Sequence, residues 1–149
     1  MKKEIHNPGN FKDYPYIIHT GRELELMLEG SKPLAVFSVD NIVGDEKFTL
    51  DMVQSGQEFS HYVEAGKLNL DQERIDIRVG EASAVLDYYA YTLPNERWRA
   101  QAYFMLIRQL HRDGWCKNLE RLSGSLLGYS DEENDYHISQ TNIPNCKQS

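Results

Sequence analysis

A chain of 149 residues that is 40% hydrophobic, 26% charged and 11% aromatic has the composition of a folded globular domain, not of a disordered segment. No stretch approaches the roughly 18 consecutive apolar residues of a membrane-spanning helix. The net charge of -7 disfavours nucleic acid, because neutralising phosphates needs clustered Lys and Arg.

The acid excess lies in residues 31–80 and from residue 129 onward, with a slightly basic segment 81–128 between them. Such a surface would speed encounter with a basic protein partner. Residues 1–149 read as one domain, with 1–13 as a loose N-terminal arm around Asn7-Pro8-Gly9-Asn10. No apolar run follows Lys2 and Lys3, so a secretory leader is not expected and the chain reads as cytoplasmic.

In chain order, Thr20-Gly21-Arg22-Glu23 fits a capping box. Leu24, Met27 and Leu28 follow at helical spacing, with Gly30 as the stop. After Pro33, the apolar run Leu34–Val39 predicts a buried strand, and Phe48–Val53 a further one. Ser55-Gly56-Gln57-Glu58 repeats the capping pattern before Phe59, Tyr62 and Val63, and Gly66 ends that helix. Ile75, Ile77 and Val79 alternate with Asp76 and Arg78, the pattern of a half-exposed strand. Residues 85–91 can pair back through a turn at Gly80-Glu81, although Ala82, Val85, Leu86 and Tyr89 also fit a helix.

The longest helix is predicted from Pro94 to Arg112, apolar over most of its circumference and hence covered on more than one side. A second runs from Lys117 to a stop at Gly128, with Leu119, Leu122, Leu126 and Leu127 in a stripe. Ser130-Asp131-Glu132-Glu133 opens a third. Residues 140–149 read as a polar tail. The expected class is α+β: a small antiparallel sheet packed against a central buried helix and a C-terminal antiparallel helix pair.

Several groupings could carry chemistry. Asp131, Asp135 and His137 form the densest set of metal-ligating types, although no EF-hand glycine or glutamate follows at the required spacing. The strip Arg97, Gln101, Arg108 and Arg112 could read a carboxylate or phosphate, with Tyr89 and Tyr91 as pocket-lining partners. The plainer reading is that these arginines pair with the protein's own acids.

No histidine pair has HxH or HxxxH spacing, and no nucleophile elbow or phosphate-binding loop occurs. Ser125 falls inside the leucine stripe. Cys116 and Cys146 have no ligand spacing and read as two free thiols.

No catalytic residue and no cofactor are indicated, and the lack of a catalytic motif weighs against an enzyme. The leading expectation is a non-catalytic protein-binding or inhibitor/immunity-like module with a basic partner. It would bind neither nucleic acid nor membrane, and the composition leaves room for a homo-oligomer. The alternatives are a small-molecule or anion sensor built on the arginine strip and a tyrosine-lined pocket, or a small metal-assisted enzyme.

Overall fold

The computed structural model describes residues 5–42 and 49–147. Three strands, β1 (Leu34–Ile42), β2 (Asn69–Val79) and β3 (Ala82–Thr92), form one antiparallel sheet in the order β1-β3-β2. The helices are α1 (Glu23–Leu28), α2 (Leu50–Val53), α3 (Phe59–Glu64), α4 (Trp98–Asp113), α5 (Lys117–Leu127) and α6 (Asp131–Ser139). The protein is therefore α+β. Among the described residues no helix is long and apolar enough to cross a membrane.

β3 lies in the middle because it can bury both of its faces. Ala90 pairs with Val36 on one side and Asp71 on the other, while Tyr91 pairs with Ala35 and Leu70. Tyr88 and Ala90 join a core with Leu34, Ile75, Phe104 and Leu126. The alternating Tyr91 joins a second core with Met27, Ala35, Phe37 and Phe59. The period of two thus wins over the helical spacing in this segment, since pairing along both edges satisfies every strand position. The β2–β3 turn falls at Gly80, whose φ of +67° suits glycine.

Helices cover both sides of the sheet, α4 and α5 on one and α1 to α3 on the other. α4 buries Ala100, Phe104, Leu106 and Ile107 but leaves Trp98 58% and Met105 68% exposed. It lies on the sheet rather than inside the protein. The broad apolar arc overstated its burial because single apolar side chains are tolerated at a surface.

The capping boxes divide unevenly. Ser130 and Glu133 form the full reciprocal pair at α6. At α1 the cap is Arg22, and at α3 it is Glu58, neither with a side-chain cap bond. Residues 50–53, expected as strand, are helical, because the Thr49 side chain accepts from the Met52 amide and closes a turn. Phe48, the first residue of that expected strand, lies outside the described residues.

Contacts reach into the described part of both terminal segments. The Asn7 side chain donates to the Tyr16 carbonyl at 2.7 Å and accepts from the Ile18 amide at 2.8 Å. At the other end, Cys116 and Cys146 form a disulfide instead of two free thiols. The Lys117 amide beside it donates to the Pro144 carbonyl. The pairing escaped sequence reasoning because it closes across two helices and a turn.

Candidate functional site

α5 and α6 form a helical hairpin whose crossing is set by Gly124. A Cβ there would come within 1.9 Å of the Asn134 side-chain oxygen, so only glycine admits so close an approach. Asn134 is buried and donates to the Ser125 hydroxyl at 3.1 Å. This makes Ser125 a helix residue that holds the crossing.

The segment 7–20 runs across this hairpin and brings rings to it. Tyr14 meets Tyr136 edge-on at 5.1 Å, Tyr16 lies 6.0 Å from Tyr129, and His19 stacks on Tyr129 at 3.8 Å. Between segment and hairpin is a cavity of about 130 Å³, lined by Phe11, Tyr16, Glu120, Ser123, Tyr129 and His137 among others. Thr20, which is exposed, also borders it.

One hydrogen-bonded chain organises the polar side of the cavity. His137 Nε2 lies 2.8 Å from Glu120 Oε1, and its Nδ1 lies 3.0 Å from the Tyr14 hydroxyl. A carboxylate can only accept, so Nε2 carries the proton and Nδ1 accepts from Tyr14 in the neutral imidazole. Burial, with smaller contributions from Tyr136 and Glu120, raises the Tyr14 phenol above its ordinary pKa. Burial also raises Tyr16, and pushes Tyr129 up to about 12. These shifts keep the phenols protonated at neutral pH.

A second cluster borders the first through Tyr129. Lys32 is 2% exposed, and its Nζ lies 2.8 Å from His19 Nδ1 and 2.9 Å from the Leu127 carbonyl. Burial pushes the amine down to about 7, against a smaller opposing effect of Glu23. Burial and the nearby Lys32 push His19 down to about 3. The ammonium sits 5.8 Å from the Tyr129 ring centre. The carbonyl end of α5 favours a cation there, which offsets part of the cost of burying it.

The predicted site residues are scattered by comparison. Arg97 pairs with Asp71 at 3.0 Å, Arg108 with Glu73 and Arg112 with Asp113 at 3.3 Å. Gln101 is exposed on the same helix. Tyr91 faces the other side of the sheet, where its hydroxyl accepts from Gln54 at 2.8 Å, and Tyr89 packs on that side too. The strip and the two tyrosines therefore belong to opposite faces.

Of the predicted metal set, Asp135 pairs with Arg121, Asp131 lies exposed in the first turn of α6, and His137 turns to Glu120. Among the described residues no three His, Cys, Asp or Glu side chains gather as an ion would require.

His137, a metal-ligand candidate by sequence, instead contacts Glu120 and Tyr14. Sequence reasoning did not bring Glu120, Tyr14, Tyr16 and Phe11 to it, since they lie 17 to 126 positions away with no periodic signal linking them. Searches against models of known families, curated proteins and solved structures found no match to this chain.

Proposed function

We propose that this protein is a non-catalytic binder of a small molecule, held in the cavity between residues 11–20 and the α5–α6 hairpin. The observation that carries the reading is the cavity itself. Its volume of about 130 Å³ is close to that of engineered cavities of roughly 150 Å³ that accept a single aromatic ring. Apolar walls with a few convergent polar groups are the usual make-up of a ligand site.

The test is a nuclear magnetic resonance titration with single-ring probes that span neutral, cationic and anionic character. Shifts should be confined to residues such as Ile18, Ser123 and Ile138, and should vanish in Thr20→Trp, which fills the mouth from an exposed position. Probes that shift no cavity residue, or that shift them equally in Thr20→Trp, would overturn the reading.

A second reading, an acidic module that docks a basic protein, is supported by the charge pairing. Arg97 and Arg108 are matched by Asp71 and Glu73, and Asp131 and Glu132 lie exposed at the start of α6, where they would attract a basic partner. Retention of a basic partner at low salt and its release as salt rises would support this reading. The sequence reads as cytoplasmic. The Cys116–Cys146 bond favours instead a compartment where disulfides persist.

A further inference from the structure

We infer that the cavity selects a small organic cation, a primary or methylated amine no larger than a single ring. This rests on the ligand-binding reading above and names its ligand class. The walls supply the two features that hold such a cation. Phe11, Tyr16 and Tyr129 line it, and aromatic rings attract an ammonium group, although His19 stacks on one face of Tyr129 at 3.8 Å. Glu120 supplies a carboxylate beside them.

No lysine or arginine is among the lining residues, and Glu120 is the one carboxylate there. An anion would approach the Glu120 carboxylate, which already holds His137 Nε2 at 2.8 Å, and be repelled by it. The one buried amine nearby is that of Lys32, which lies outside the lining and is committed to His19 and the Leu127 carbonyl. Burial that favours its uncharged form limits its repulsion of an incoming cation.

The test uses three probes of one shape: choline, its neutral carbon isostere 3,3-dimethylbutan-1-ol, and the anion 3,3-dimethylbutanoate. Each is titrated by calorimetry into the oxidised protein and into Glu120→Gln. Choline should bind about tenfold more tightly than the alcohol, and the anion more weakly than either. In Glu120→Gln the gap between choline and alcohol should close to about twofold or threefold. Alcohol binding should persist, which also reports that the variant is folded.

Equal or tighter binding of the alcohol by the native protein would overturn the cation inference and leave the ligand-binding reading standing. So would a choline preference undiminished in Glu120→Gln. If none of the three probes binds while other single-ring probes do, the cation inference also falls alone. If no probe of any kind binds, both readings fall together.

Discussion

The outer strip of α4 and the α5–α6 hairpin use similar polar side chains to opposite ends. Along α4, Arg97 and Arg108 reach across to Asp71 and Glu73 on β2, and each arginine is more than half exposed. Such pairs are worth roughly 0–1 kcal/mol because water screens them. In the hairpin, Glu120 and His137 are mostly buried and border a cavity closed by rings from far away in sequence. The surface pairs are separate contacts in water, whereas Glu120 beside the cavity belongs to a chain of contacts through His137 to Tyr14.

The largest effect that would sharpen this contrast is in the core beneath α4. Phe104 is 1% exposed, so Phe104→Ala should lower stability by about 3–5 kcal/mol in urea denaturation. Phe11→Ala, at the cavity edge, should cost far less and weaken ligand binding instead. Equal losses for the two would erase the distinction between core and site. Cys146→Ser should cost about 3 kcal/mol, since the bond closes a loop with a sequence separation of 30 and so restricts the unfolded chain. Equal urea midpoints for the two proteins would show that the bond adds nothing to stability.

Lys32 gives the next effect. Between about 7 and the ordinary value of 10.5, the unfolded chain holds a proton that the folded protein has released. Stability should therefore rise with pH across that window. The rise should be on the order of 2 kcal/mol, below the full value of the shift because the surroundings of a buried charge relax. His19 acts in the same direction at lower pH. With its folded value at about 3 against 6.5 unfolded, stability should fall as pH drops below 6.5. In Lys32→Met the slope from pH 7 to 10 should disappear, and a slope that survives would assign it to other groups. The smallest effect is Arg108→Glu, expected within about 1 kcal/mol of the native protein and without influence on the cavity. A lost probe titration in that variant would mean that the two regions are coupled.

These contrasts also explain what was legible in the sequence. The three strands, the long helix and the Gly128 stop of α5 were readable because periodicity and glycine act within a few residues. The Gly128 φ of +101° is the left-handed cap its position suggested. The arginine strip was visible for the same reason, as was its plainer reading as internal ion pairs. The cavity was not, because Phe11 and Tyr14 reach His137 over more than 120 positions. Lys32 gave no sign of burial either. Its partners are a backbone carbonyl at a helix end and a histidine on a loop, and neither leaves a pattern in the residue order.

The Cys116–Cys146 bond has a consequence for how the cavity is assembled. Every lining residue from α5, α6 and their connection, from Glu120 to Ile138, falls between the two cysteines. The other lining residues, Phe11, Tyr16, Ile18 and Thr20, all arrive from one short stretch far upstream. The cavity is thus a covalent ring closed over by a strap. A single proteolytic cut inside the ring would leave the polypeptide in one piece until a thiol reductant was added. A single cut between residues 20 and 116 would separate strap from ring, leaving the two halves of the cavity joined by non-covalent contacts alone.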